Sequence, residues 1–476
     1  MAANFYRWAD GASGTLLMLM IAAAPWLFGA TERWSMNLLN GIGIGCGVLL
    51  GLKWLLRWQS GALAVDQLLG RNDPRIRPGL WMVRAMAVLT VAVLFYTLLS
   101  ALNARATWIP AEQRFEYHRY VPQLPFTYDS NLTWRAFWNY LALACAFWGV
   151  RDWLLHPAKP ADGAGELPAR FRILFWAIAI NTTLLALAGT FQKLAGADKL
   201  LWLRTPYDAR ADLMFGPFAF RENAAQYFNL AWPAVLGFWW VLRDRARQRG
   251  WENIKVGGGA HVFLLLCATV IAAAPMIATS ESGTLLLAVL LGFSVFLIFL
   301  SRRGAWRARC TIVLVCLAVV ALGGALGWDQ LAPRLRELFK TPYANPSEVY
   351  GNAKQMALDY PLYGIGPGAF RALYQMYRSD PQQSWQAFLH DDWLETRVTF
   401  GWAGSMLILC LLCLALTRWF VPGGVPAPWE FIALLWAAIG GCLAVAKFSF
   451  PLQVYSILLL LLVILAALSC LSRPES

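Results

Sequence analysis

The side chains best suited to chemistry are concentrated in one polar stretch, residues 328–399, of an otherwise apolar sequence. Near its end stands His390-Asp-Asp-Trp-Leu-Glu395, a histidine followed closely by three carboxylates. A histidine can act as a general base near neutral pH, and nearby carboxylates can orient its ring or raise its pKa. We therefore expect His390 to be a candidate base with Asp391, Asp392 and Glu395 beside it, and Asp391 and Asp392 are also candidates for substrate binding. The alternative is a structural histidine at a membrane interface.

A glycine-rich turn, Gly364-Ile-Gly366-Pro-Gly368, lies upstream in the same stretch. Glycines let backbone N–H groups approach an anion, and a helix that starts beside them adds partial positive charge. The pattern matches neither a P-loop nor a dinucleotide fingerprint. Two interpretations stay open: phosphate contact through Gly364, Gly366 and Gly368, or a plain turn between two helices.

Two helical patterns flank this turn and predict a folded lid. Apolar residues recur three or four positions apart on each side, and Ser347 is a plausible N-cap for the first helix. We expect the membrane surface or the top of the bundle to cover these apolar faces. The first pattern comprises Val349, Ala353, Met356 and Ala357, and the second comprises Phe370, Leu373, Tyr374 and Tyr377.

The rest of the chain is typical of an integral membrane protein. Of its 476 residues, 59% are hydrophobic and only 14% are charged, which excludes an ordinary soluble domain. About twelve apolar runs are long enough to cross roughly 30 Å of hydrocarbon as helices. We expect an all-α polytopic bundle over residues 1–476. The runs lie near 12–30, 36–56, 80–101, 134–155, 171–191, 223–242, 260–278, 284–300, 309–327, 400–420, 429–446 and 452–471.

Basic residues between these runs predict the orientation. Lys and Arg accumulate in alternate loops, and such loops face the cytoplasm. Both termini are then cytoplasmic, and the long loops 102–133, 192–222 and 328–399 face outward. The net charge of +13 is therefore a topology signal and no indication of nucleic-acid binding. All nine cysteines fall in predicted helices, so we expect neither a disulfide framework nor a metal site.

Two segments resemble a known family. The first is Tyr360-Pro-Leu-Tyr-Gly-Ile-Gly-Pro-Gly-Ala-Phe370, followed by His390-Asp-Asp-Trp-Leu and Phe400-Gly-Trp-Ala-Gly404. The second is Gly216-Pro-Phe-Ala-Phe-Arg221-Glu-Asn-Ala-Ala225, just before the sixth run. Together they resemble the signatures of the O-antigen ligase and polymerase superfamily of bacterial envelope proteins. The many-helix plan and the large loop before the tenth helix agree with that resemblance.

The resemblance implies a membrane glycosyltransferase with a bundle of the type C class. Such enzymes transfer a glycan from undecaprenyl diphosphate to an acceptor hydroxyl at the periplasmic face of the inner membrane. The acceptor is lipid A core or a growing polysaccharide, and no metal, nucleotide or other cofactor takes part. The expected partners are the lipid-linked donor, the acceptor and membrane lipid, with no nucleic acid.

The resemblance also implies roles for particular residues. Arg221 would hold the diphosphate leaving group, and His390 would assist the acceptor hydroxyl as general base. Arg371 and Arg210 are further candidates for the same cationic role. Lys447 is a cation near the outer end of an apolar helix and so a functional candidate, although a snorkelling side chain explains it equally well.

The chain departs from the family pattern at three places. Glu281 stands where the family commonly has Arg, Pro346 or its neighbours replace an Arg that opens the lid helix, and Thr399 replaces a Glu. These changes are compatible with a different donor or acceptor, or with a relative that has no transfer activity.

Two other functions compete with a lipopolysaccharide or polysaccharide ligase. A protein O-oligosaccharyltransferase would differ only in its acceptor. A transporter or flippase of lipid-linked saccharides would need charged residues along a path through the membrane, or repeat symmetry. The titratable residues instead cluster on one face, which favours chemistry on one side of the membrane.

Overall fold

Helices make up most of the protein, and each apolar run of the sequence lies on one of them. The computed structural model describes residues 2–59, 76–155, 167–205, 213–248, 259–301, 306–340, 347–378 and 388–472. Its first seven helices are α1 (Ala2–Trp26), α2 (Arg33–Gln59), α3 (Arg77–Leu102), α4 (Ser130–Leu155), α5 (Ala169–Leu194), α6 (Arg221–Gln248) and α7 (Gly259–Ile277). The next seven are α8 (Glu281–Leu300), α9 (Trp306–Lys340), α10 (Ser347–Asp359), α11 (Phe370–Tyr374), α12 (Asp392–Thr417), α13 (Trp429–Val445) and α14 (Tyr455–Cys470).

Strands are short and lie outside the bundle. The antiparallel pair β1 (Ala106–Ile109) and β2 (Arg114–Tyr117) forms a hairpin in the loop after α3. The parallel pair β3 (Val425–Pro426) and β4 (Leu471–Ser472) joins the turn before α13 to the end of α14.

The apolar helices define a multi-pass membrane protein. Seven of the described helices are long and apolar enough to cross a membrane: α2, α3, α5, α7, α8, α9 and α12. Helices α13 and α14 are apolar but shorter, with 17 and 16 residues. The mostly helical membrane class is confirmed, while a count of twelve crossings stays a prediction.

Helix α6 is the centre of the bundle. It packs against α7, α8, α13 and α14, and its residues from 223 to 241 are buried on every side. Large aromatic side chains such as Trp232 and Trp239 fill the space around it, at most 2% exposed. Gly237 allows close approach to α13, because a Cβ atom there would lie 2.8 Å from the ring of Phe431. Arg221 is the first residue of this buried helix.

The ninth helix is longer than the sequence indicates. The apolar run predicts an end near residue 327, but α9 continues to Lys340. The residues from 328 to 340 thus extend this helix, and Arg334 lies on the extension. A helix can continue past the apolar run because its backbone hydrogen bonds are satisfied internally whatever the side chains are.

The lid has a small hydrophobic core of its own. The predicted helices are α10 and α11, and their buried residues include Met356, Phe370 and Tyr374. Tyr128, from the loop after α3, packs into the same core, and its hydroxyl lies 2.6 Å from that of Tyr360. The two outer loops therefore cover each other's apolar faces, a partner that the sequence did not indicate.

Candidate active site

His390 stands at the junction between the lid and α12. Helix α12 begins at Asp392, and the side chain of Asp391 caps it by accepting a hydrogen bond from the N–H of Leu394, 3.0 Å away. His390 comes just before this cap, and its backbone has a φ of +57°. A left-handed backbone is uncommon for residues other than glycine, and such conformations cluster at functional sites.

The imidazole of His390 is open to solvent on one side and covered on the other. Its ring meets that of Phe450 edge-on, with centroids 4.7 Å apart, and its backbone carbonyl accepts a hydrogen bond from the hydroxyl of Tyr350 at 3.1 Å. Partial burial lowers the pKa of His390 below its ordinary value of 6.5, and the carboxylate of Glu222 acts in the opposite direction. The neutral form of the ring is therefore favoured, and the residue is exposed on one side.

The carboxylates beside His390 in sequence do not orient its ring, contrary to expectation. Asp392 accepts a hydrogen bond from the N–H of Leu452 at 2.8 Å, and Glu395 accepts one from the N–H of Leu389 at 2.8 Å. Both side chains are buried, at 1% and 4% exposure. Glu395 holds the backbone just before His390, and Asp392 ties the start of α12 to the turn before α14, because a buried carboxylate needs N–H partners.

Asp391 is buried as well, and its partner is Lys447. The ammonium of Lys447, just after α13, forms an ion pair with the carboxylate of Asp391. The side chain of Lys447 is 57% exposed. Substrate contact through the buried Asp391 and Asp392 is not supported, whereas the lysine stands at the surface of the site.

Phe450 links the chain segments of Arg221 and His390 at one end of the bundle. Phe220 packs against one part of the Phe450 ring, with centroids 6.4 Å apart, while His390 packs against another. Arg221 is buried, and its Nε donates to Glu222 at 3.0 Å. Glu222 interacts electrostatically with both Arg221 and His390 and therefore links the two motifs.

Two cations from other helices, Lys193 and Arg334, lie close to Arg221. Lys193, near the end of α5, donates to the carbonyl of Ile277, and Arg334 of α9 donates to the hydroxyl of Thr279 at 3.1 Å. Lys193 interacts electrostatically with both Arg334 and Arg221. The turn between α7 and α8 is thus surrounded by positive charge.

Glu281 begins α8 in this cationic surrounding. Arg221 is its strongest electrostatic partner, and Arg334 also contributes. The carboxylate that stands where the family has Arg therefore faces Arg221, while cations from α5 and α9 reach the same turn.

The glycine turn serves packing, which corrects the phosphate-contact interpretation of Gly364 and Gly366. The N–H of Gly366 donates to the carbonyl of Thr399 at 3.0 Å, and that of Gly364 donates to Tyr360 at 3.2 Å. A Cβ atom at Gly364 would lie 2.5 Å from the backbone N of Gly401, where α12 is kinked. These N–H groups have protein partners and are not available to an anion.

The remaining candidates lie apart from this centre or outside the described residues. Gly368 is exposed at the edge of the same turn, with a φ of +79°. Arg371 is exposed on the short helix α11. Thr399 is buried, and its hydroxyl donates to the carbonyl of Glu395 at 2.7 Å. Arg210 and Pro346 lie outside the described residues.

Sequence reasoning missed Phe450, Glu222, Lys193 and Arg334. Glu222 could have been found, because it follows Arg221 directly and stands where the family has Asn. Lys193 could have been noticed as a cation at the outer end of an apolar helix. Phe450 gave no signal, since one more aromatic residue in an apolar chain carries no distinct pattern.

Comparison with known proteins supports the resemblance seen in the sequence. The family model described as O-Antigen ligase matches residues 265–409, which include the lid, the glycine turn and His390. Arg221 lies outside the matched segment. Comparison with curated proteins gave no match. The recognition of an O-antigen ligase-like superfamily is confirmed, and it supports a membrane protein with a glycan ligase or polymerase-like role.

Proposed function

We propose that the protein is a glycosyltransferase of the O-antigen ligase type that uses an undecaprenyl-diphosphate-linked glycan. The observation that carries the proposal is the proximity of Glu222 to both Arg221 and His390, with Phe220 and His390 packed against the same Phe450 ring. The match over residues 265–409 supports the same class of chemistry. The site faces the periplasm, both termini are cytoplasmic and twelve helices cross the inner membrane.

Arg221 binds the diphosphate of the donor in this proposal. A guanidinium offers parallel N–H donors that fit phosphate oxygens, and its charge stabilises the negative charge that develops as the leaving group departs. Lys193 and Arg334 add positive potential from two further helices. Because these cations stabilise the diphosphate, the transfer proceeds without a metal ion.

His390 acts as the general base. Its neutral ring takes the proton of the acceptor hydroxyl while the oxygen attacks the anomeric carbon of the glycan. The bond from that carbon to the diphosphate oxygen breaks, and its electron pair leaves on undecaprenyl diphosphate. The acceptor is a hydroxyl of lipid A core or of a growing polysaccharide, and the exposed Lys447, paired with Asp391, contacts it.

Complementation of a Gram-negative host without its O-antigen ligase tests this proposal. We expect the wild type to restore the lipopolysaccharide ladder and His390→Asn to lose it, with transfer reduced about 10²–10⁴-fold. Asn suits the test because it tolerates a left-handed backbone and removes the base. Arg221→Lys should also fail, since it keeps the charge and loses the paired N–H donors.

Two outward-facing residues provide matched controls at equal membrane levels. His118 is an exposed histidine whose ring lies 2.9 Å from the hydroxyl of Thr107, and His118→Asn should keep the ladder. Arg204 pairs with Glu32 at 3.1 Å, and Arg204→Lys should keep it too.

Three results would contradict parts of the proposal. A ladder that persists in His390→Asn and Arg221→Lys would reject the site. A well-inserted wild type without a ladder would reject lipid A core as acceptor, and polymer length or glycosylated protein would then be measured. Translocation of the lipid-linked glycan without release of undecaprenyl diphosphate would indicate a flippase.

A further inference from the structure

Helix α12 is interrupted at Gly401, nine residues after it begins. The backbone there has a φ of +60° and a ψ of −167°, a conformation essentially restricted to glycine. In a continuous helix each N–H donates to the carbonyl four residues before it. The N–H groups of Trp402 and Ala403, just after the interruption, turn away from those carbonyls. Irregular backbone at membrane depth needs other partners inside the protein, because lipid offers none.

The glycine turn of the lid and the residues just before it complete the broken helix. Two N–H groups after the interruption donate to carbonyls of this segment, and two carbonyls before the interruption accept from its N–H groups. The four bonds join Trp402 to Pro361 at 2.9 Å, Ala403 to Leu362 at 3.0 Å, Val398 to Ile365 at 3.0 Å and Thr399 to Gly366 at 3.0 Å. The lid and α12 are therefore one hydrogen-bonded unit at this point.

Tyr96 of α3 binds the last carbonyl before the interruption. Its hydroxyl donates to the carbonyl of Phe400 at 2.8 Å and lies 2.7 Å from the carbonyl of Tyr363 in the lid. The rings of Tyr96 and Phe400 are stacked, with centroids 5.8 Å apart. Tyr96 is buried. One hydroxyl thus joins α3 to α12 and to the lid.

The helical segment fixed by these contacts, residues 392–400, carries His390 at its start. The segment is roughly 12 Å long at 1.5 Å per residue, and His390 lies two residues before it. At this end the N–H of Asp392 donates to the carbonyl of Ala446 at 2.8 Å. At the other end the glycine turn and Tyr96 hold the segment. Because a hydrogen-bonded helix moves as a unit, a displacement at residue 400 also displaces the backbone that places the imidazole.

We propose that Tyr96, together with the glycine turn, positions His390 for proton transfer from the acceptor hydroxyl. The inference rests on the proposed function, in which His390 is the general base. Tyr96 acts through α12 and is a positioning residue. A misplaced base lowers the rate of the chemical step and leaves substrate binding unchanged, because proton transfer needs hydrogen-bond distance in the reacting complex.

Steady-state kinetics of Tyr96→Phe test the inference. The substitution keeps the stacked ring and removes the hydroxyl that binds the carbonyl of Phe400. We expect kcat to fall about 10–10²-fold while KM for donor and acceptor stays within about twofold of the wild type. Tyr140→Phe is the matched control and should keep the wild-type kcat. The Tyr140 ring also packs against Phe400, with centroids 6.2 Å apart, but its hydroxyl has no hydrogen bond within the described part of the chain.

NMR of protein with labelled histidine provides a measurement that needs no turnover. The resonance of His390 is identified by its absence in His390→Asn. Tyr96→Phe should move this resonance and shift the ring pKa upward toward 6.5, because a displaced ring loses part of the burial that lowers its pKa in the wild type. Tyr140→Phe should leave the resonance and its titration unchanged.

Three results would overturn the inference: an unchanged kcat in Tyr96→Phe, a raised KM with unchanged kcat, or a fall in kcat while the His390 resonance stays in place. The last would show that the effect of Tyr96 does not pass through His390. A wild type that transfers no glycan at equal membrane levels would reject the proposed function. The NMR comparison would then decide by itself whether Tyr96 positions the ring.

Discussion

Two lysine–aspartate pairs lie at opposite ends of the bundle and differ in their contact with solvent. Lys53 on α2 lies 2.7 Å from Asp152 on α4, with side chains 0% and 5% exposed. Lys447 pairs with Asp391 at the other end, where the lysine side chain is 57% exposed. The two pairs have the same chemistry and different surroundings.

The buried pair belongs to a closed network. Asp152 also binds Arg57, while Asp10 on α1 binds both Lys53 and Arg170. Four helices, α1, α2, α4 and α5, are joined by these contacts. The exposed pair instead leaves a cation at the surface beside His390. A buried ion network holds helices together, whereas a half-exposed one keeps charge available to a substrate.

The largest predicted effect follows from breaking the buried network. Lys53→Met removes one cation and leaves buried carboxylates undercompensated, so the free energy of unfolding should fall by about 3–5 kcal/mol. Thermal and denaturant unfolding in detergent would measure it. Lys447→Met, the same substitution in the half-exposed pair, should cost less, about 1–2 kcal/mol, because the buried Asp391 keeps its hydrogen bond from the N–H of Leu394. Similar losses in both variants would show that burial does not distinguish the pairs.

A smaller effect is expected at Asp391, which joins the exposed pair to the helix cap. Asp391→Ala removes the acceptor for the N–H of Leu394 and should lower stability by about 1–2 kcal/mol. Asp391→Asn keeps a capping oxygen and loses only the ion pair with Lys447, so it should stay near the wild type. If Asn is as destabilising as Ala, the ion pair outweighs the cap.

The smallest effect is a shift in pH dependence at His390. Because burial lowers its pKa below 6.5, the neutral ring should persist into more acidic solution. The acid limb of kcat/KM should therefore have its midpoint below 6.5, with activity rising as pH increases through it. Glu222→Gln removes the carboxylate that raises this pKa and should move the midpoint lower still. A midpoint above 6.5, or an upward movement in Glu222→Gln, would contradict the assignment.

Much of the fold could be predicted from the sequence. The apolar runs predicted where the long helices lie, because a run of about 20 apolar residues in lipid must satisfy its backbone internally. The helical spacing in the lid predicted α10 and the amphipathic turn at Phe370. The predicted end of α9 near residue 327 was wrong. The helix continues to Lys340 through polar residues, and the prediction depended on an apolar pattern that these residues do not follow.

The candidate site was predictable only in its parts. His390 and Arg221 stood out through their motifs, but nothing in the sequence indicated that Glu222, the neighbour of Arg221, also lies near His390. The carboxylates next to His390 were expected to face its ring, and the structure turns Asp392 and Glu395 toward backbone N–H groups instead. Adjacent residues on a chain commonly point to different surroundings, and burial then decides which partner each one takes.

The sequence by itself determined the membrane class, the helical architecture and the O-antigen ligase-like segment, because these depend on local hydrophobicity and on motifs of a few residues. The tertiary structure alone decided which charges are buried, which glycine N–H groups are occupied, and which side chains meet His390. Those outcomes depend on contacts between residues far apart in the chain, such as Phe220, His390 and Phe450. Packing fixes such contacts, and the spacing of residues along the chain does not encode them.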